Sequence, residues 1–132
     1  MSGRRVIVAD DERHITRILA FRLKQSGLEV ETACHGREAL EKALANPPDL
    51  VVSDYQMPEM NGLELAIALA EAEATAEVPV IVLTARSHRL TKSELVQTNV
   101  QALLDKPLSG AELDETVREI LGLDKEVAAE AA

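Results

Sequence analysis

Asp10 and Asp11, Asp54, Thr84 and Lys106 each stand at or just beyond the end of a short aliphatic run, and together they supply three carboxylates, a hydroxyl and an ammonium. Carboxylates that converge in one pocket repel one another, a cost relieved by protonation or by a cation. A hard divalent ion is the natural remedy, and Mg2+ takes one or two protein carboxylates while keeping waters and accepting phosphate oxygens. Lys106 offers a compact charge to a phosphate oxygen or to Asp54 itself. A carboxylate so placed is a nucleophile of the kind that forms aspartyl phosphates. Thr84 can donate its hydroxyl to a phosphoryl oxygen, and phosphoryl transfer asks little of a protein beyond positioning and charge neutralisation.

Strand-like runs recur at Val6 to Ala9, Leu28 to Ala33, Leu50 to Ser53 and Val78 to Leu83, with a weaker one at Ala102 to Leu104. Between them lie segments with helical spacing, whose apolar stripes are Ile15/Ile18/Leu19/Leu23, Ala39/Leu40/Ala43/Leu44, Leu63/Ala66/Ile67/Ala70 and Leu113/Val117/Ile120/Leu121. Thr91 to Thr98 carries only Leu95 and Val96 as strong apolar residues, so a helix there is expected to be the least firmly packed. Asn61 and Glu64 have the spacing of a capping box, as do Thr91/Glu94 and Ser109/Glu112.

Strands alternating with helices predict a parallel sheet with right-handed crossovers, an α/β doubly wound fold of five strands. In such sheets ligands bind beyond the carboxyl ends of the strands, at the switch in strand order. With the order 2-1-3-4-5, the first and third strands are neighbours and bring Asp10-Asp11 beside Asp54.

A chain of 132 residues fits one domain. Residues 1–122 are expected to form it, with 123–132 a helical extension or frayed tail. The formal charge of −9 argues against direct nucleic-acid binding and favours cations or basic partner surfaces. No run of about twenty apolar residues predicts membrane insertion, and no signal-peptide core precedes Asp10, so a cytoplasmic location is expected. The single Cys34 reads as a buried structural thiol.

Each candidate has an ordinary reading in isolation. Asp10-Asp11 would suit a helix N-terminus, Asp54 a turn, Thr84 a strand end, and Lys106 a solvated position before a proline. The joint placement at four strand ends favours the chemical reading. His14, His35 and His88 lack metal-ligand spacing and read as surface residues.

The segments Val8-Ala9-Asp10-Asp11-Glu12, Asp54-Tyr55-Gln56-Met57-Pro58-Glu59-Met60-Asn61-Gly62, Leu83-Thr84-Ala85-Arg86 and Lys106-Pro107 resemble the receiver domain of two-component response regulators, the CheY-like family. The likeness runs from about Arg4 to Gly122. It implies that Asp54 is the phosphoacceptor, and that Asp11 and Asp54 bind Mg2+ directly. Asp10 would act through water, and the Gln56 carbonyl would complete the protein ligands. It also implies a histidine kinase or histidine phosphotransfer protein as phosphodonor, and a cis peptide at Lys106-Pro107. The target protein would be engaged at the face formed by the 91–98 helix, the fifth strand and the last helix. Leu103, three residues before Lys106, stands where many receivers carry tyrosine or phenylalanine, so coupling is expected through Thr84 and the loop from Ala85 to Leu90.

The chain therefore reads as a stand-alone phosphorylation-controlled binding module rather than an enzyme, with self-catalysed phosphorylation and slow autodephosphorylation expected. A phosphate shuttle or sink within a phosphorelay is an alternative. So is a Mg2+-dependent phosphohydrolase, weakened because Gln56 occupies the position two residues after Asp54 where such enzymes place an acid/base.

Overall fold

The computed structural model describes residues 4–85, 98–106 and 110–122. Its strands are β1 (Arg5–Ala9), β2 (Glu29–Ala33), β3 (Leu50–Asp54), β4 (Val80–Thr84) and β5 (Val100–Asp105). The helices are α1 (Arg13–Gln25), α2 (Gly36–Ala45), α3 (Gly62–Glu71) and α4 (Gly110–Leu121), with a short 3-10 turn at Glu73–Thr75. All strand pairs are parallel and the sheet order is β2-β1-β3-β4-β5, as the doubly wound reading requires.

Because successive strand residues point to opposite faces, each central strand feeds two cores. Val6, Val8, Leu50, Val52, Ile81 and Leu83 meet α1 and α4 through Leu19, Leu23, Leu113 and Val117. Ile7, Val51, Val80 and Val82 meet α2 and α3 through Ala39, Ala43, Leu65 and Leu69. Burial on both faces is why β1, β3 and β4 appear in the sequence as continuous apolar runs. The edge strand β2 instead carries Glu29 and Glu31, and Glu31 pairs with Arg5 and with Lys42. Such charge blunts an exposed edge against pairing with other chains.

Strand β5 contains an irregularity, since Val80 pairs with Val100 but the next residue, Ile81, pairs with Ala102. The intervening Gln101 is an extra residue, as in a β-bulge. Val100 consequently packs with the α2/α3 core, whereas Ala102 packs with the α1/α4 core.

Four expectations about packing are corrected. In α1 the buried set is Thr16, Leu19, Ala20 and Leu23, and Ile18 is 59% exposed, because the helix lies on the sheet along the Leu19/Leu23 line. In α3 the buried face is Gly62, Leu65, Ala66 and Leu69, turned from the Leu63/Ile67 stripe because Gly62 is seated against the main chain at Asp54. Cys34 is exposed, lying just past the end of β2 where the chain turns toward α2. Leu44 is exposed too.

The Asn61/Glu64 capping box is realised: Asn61 Oδ1 accepts from the Glu64 N–H at 2.8 Å, and Glu64 Oε1 accepts from the Asn61 N–H at 2.9 Å. Asn61→Ala leaves a helix N–H without its partner and is expected to cost about 1 kcal/mol, read from the shift in the urea midpoint. Residues 91–97 of the expected helix, Pro107 of the expected cis peptide, the Ser109 cap and the 123–132 tail lie outside the described residues.

Candidate functional site

The strand order brings the predicted side chains to one edge of the sheet. Asp10 leaves β1 with its N–H donating to the Ala33 carbonyl at 3.1 Å, and its Oδ1 accepts from the Glu12 N–H at 2.9 Å. Its carboxylate is 1% exposed, and Oδ2 has no hydrogen-bond partner, although Lys106 Nζ stands 3.5 Å away. Asp11 is exposed beside it. Asp54 ends β3, is 7% exposed overall, and places Oδ1 2.9 Å from Lys106 Nζ.

Lys106 is positioned by the main chain, since its N–H donates to the Thr84 carbonyl at 2.9 Å. Thr84 ends β4 and is buried, and its hydroxyl donates to the Ala85 carbonyl at 3.2 Å rather than to Asp54. Gln56 is exposed in the loop after β3, where it lines a cleft with Asp11, Tyr55, Met57, Pro58 and Asn61.

One carboxylate oxygen from each of Asp10, Asp11 and Asp54 lies within 4.8 Å of the others. Three acids, one of them with a buried and unpartnered oxygen, form a donor set that fits a hard divalent cation. Lys106 alone balances two of the three charges only in part.

The electrostatics follow from this crowding. Burial, aided by the neighbouring Asp54 and Asp11 charges, raises the Asp10 carboxyl above its ordinary range, against the opposing pull of the Glu12 N–H and of Lys106. For Lys106, burial pulls downward, but the hydrogen bond to Asp54 and the charges of Asp10 and Asp54 outweigh it and the ammonium is held above its ordinary value.

A raised Asp10 means the folded chain binds this proton more tightly than the unfolded chain does. Its contribution to stability is full below the ordinary carboxylate value of 3.8 and is lost as pH rises through the higher folded value. In EDTA, Asp10→Asn is therefore expected to be more stable than the parent at neutral pH, with the difference shrinking on acidification. Urea midpoints of both proteins between pH 4 and 7 check the sign, and a constant difference across that range contradicts it.

Sequence reasoning missed the device that starts α2. His35 Nδ1 accepts from the Glu38 N–H at 3.2 Å, while the Glu38 carboxylate accepts from the Cys34 N–H at 2.7 Å and pairs with Lys42. Histidine is not a usual cap, so only the Glu three residues on carried a signal.

Residues 6–118 match the response regulator receiver domain family. The chain is 33% identical over 119 residues to the alkaline phosphatase synthesis transcriptional regulatory protein PhoP of Bacillus subtilis, covering 90% of this chain and 49% of that protein. The chain spans about half the length of the curated relatives it matches. Among solved structures, the chemotaxis protein CheY4 of Vibrio cholerae superposes with a TM-score of 0.81 at 32% identity, covering 89% of this chain and 98% of that one. The receiver domain of the sensor histidine kinase PA1611 from Pseudomonas aeruginosa PAO1, solved with magnesium in its active-site cleft, shares the fold with a TM-score of 0.80 at 22% identity, over 91% of this chain and 98% of that one. Among the described residues no helix is long and apolar enough to cross a membrane. With its 2-1-3-4-5 parallel sheet and acid cluster in place, this chain belongs to the response regulator receiver domain family of two-component systems.

Proposed function

We propose that Asp54 accepts a phosphoryl group from a histidine kinase or histidine phosphotransfer protein, with Mg2+ held by Asp10, Asp11, Asp54 and the Gln56 carbonyl, and that the phosphorylated chain binds a target protein differently. The observation that carries this reading is the nearly buried Asp54 carboxylate held 2.9 Å from Lys106 among two further acids. A carboxylate oxygen of Asp54 attacks the phosphorus of the donor phosphohistidine; the O–P bond forms, the P–N bond breaks, and the electron pair leaves with the imidazole nitrogen. Bound Mg2+ supplies neutralisation of the charge that gathers on the phosphoryl oxygens. Lys106 donates to one of those oxygens, a charge-assisted hydrogen bond that keeps the acyl phosphate paired.

Thr84 supplies the response. Its 3.2 Å bond to Ala85 is long for a hydroxyl donor, and a phosphoryl oxygen offers a charged acceptor in exchange. Such a group shifts the protein only by interacting differently with two of its states. Leu103, 36% exposed on β5, has no hydroxyl with which to join that hydrogen bond, so the exchange at Thr84 carries the coupling. The target face takes in β5 and α4, where Glu115, Arg118 and Glu119 lie; Lys92 and Gln97 fall outside the described residues. The charge of −9 on this domain argues against its making direct DNA contact and favours a protein surface as its partner.

The test is Mg2+-dependent labelling with acetyl phosphate, followed by capture of proteins retained by the labelled chain and not by the unlabelled one. Uptake of about one phosphate per chain supports the reading. Steady turnover of many phosphate esters would favour the phosphohydrolase instead.

A further inference from the structure

Gly36, the first residue of α2, is buried and leaves room for no other residue. A β-carbon there would lie 2.6 Å from the Met60 carbonyl oxygen, 2.9 Å from Met60 Cβ and 3.0 Å from its Cγ. The closest of these is main chain and cannot rotate away. The φ of Gly36 lies outside the left-handed region, so space alone demands glycine, against the preference of a helix for alanine.

What the glycine admits is the loop that walls the cleft. Glu59 has φ 69°, and the Met60 N–H donates to the Pro58 carbonyl at 2.7 Å, a tight γ-turn that ties Met60 to Pro58. The Gly62 N–H donates to the Tyr55 carbonyl at 2.8 Å and closes residues 55–62 into one unit. Gln56, Met57 and Pro58 of this unit face the cleft together with Asp11. A push on Met60 is therefore a push on the wall of the site.

We infer that Gly36 is a positioning residue for the metal and phosphoryl site: by admitting the Met60 main chain against α2, it sets where the Gln56 loop stands relative to Asp11 and Asp54. This rests on the metal-dependent reading given above. Gly36→Ala should displace the loop, and the Gln56 carbonyl with it, while removing none of the proposed ligand residues, and the Mg2+ concentration for half-saturation should rise about tenfold, the scale found when residues supporting metal ligands are changed.

The titration can be read by tyrosine fluorescence, because Tyr55 in this loop is the chain's single tyrosine and there is no tryptophan. Far-UV circular dichroism confirms that the variant is folded. Arg37→Ala, which removes only an exposed 3.7 Å ion pair to Glu59, should leave half-saturation within twofold. Should Gly36→Ala fail to fold, the double variant Gly36→Ala, Met60→Gly relieves two of the three contacts, and it must still bind Mg2+ more weakly than Met60→Gly alone. A wild-type Mg2+ response matched by Gly36→Ala, or by the double variant against Met60→Gly, overturns this inference alone. A wild-type chain with no Mg2+ response overturns the metal reading and the inference with it.

Discussion

Asp54→Asn is expected to take up no phosphate at all from acetyl phosphate in the presence of Mg2+, where the parent acquires a label stable in mild acid and discharged by base or hydroxylamine. The amide matches the carboxylate in shape, so the change tests chemistry more than packing. The amide lacks the anionic oxygen that forms an acyl phosphate. Its loss also leaves Lys106 with an ion pair only to Asp10, at 3.5 Å, while the amide oxygen can still accept from Nζ, and it relieves part of the repulsion among the acids. The variant should consequently fold normally and still fail to label. Labelling equal to the parent would move the phosphoacceptor elsewhere.

The second large effect concerns the metal. A ligand that binds only the folded state stabilises it by mass action, about 2.7 kcal/mol at a hundredfold excess over its dissociation constant. For a chain of this size that corresponds to roughly 10 °C in the melting midpoint. Asp11→Ala should abolish most of that response, since Asp11 supplies one of the three clustered oxygens. Because Asp11 is exposed, its removal should leave the metal-free stability within about 0.5 kcal/mol of the parent. Thermal melts of both proteins in EDTA and across a Mg2+ series decide the matter: an undiminished response in Asp11→Ala removes it from the ligand set.

The central strands were legible because burial on both faces leaves a plain aliphatic signature, as in Leu50-Val51-Val52 and Val80-Ile81-Val82-Leu83. Once strands alternate with helices, the polar residues at their carboxyl ends are placed by topology, and Asp10, Asp54 and Lys106 meet as that rule requires. Which helical stripe faces inward was less readable. Ile18 and Leu63 are as apolar as Leu19 and Leu65, and the choice between them depends on how each helix is seated, for α3 by the contact of Gly62 with the Asp54 carbonyl. The Thr84 hydroxyl is likewise placed by a local bond to Ala85 that no pattern announces. The burial of Asp10, with one oxygen unpartnered, depends on packing between elements far apart in the chain.

The bulge at Gln101 gives β5 a second inheritance besides composition, namely its length. Beyond that residue the strand is out of phase with its own beginning, which is how Val100 and Ala102 come to serve opposite cores and how Lys106 arrives beside the Thr84 carbonyl. The ammonium that faces Asp54 is thus placed by counting as much as by attraction. A descendant of this chain that gained or lost one residue between Asn99 and Leu103 would keep every charge of the site and lose the alignment that makes it one. Substitution is therefore the safer path for change along this edge, and insertion or deletion the costly one.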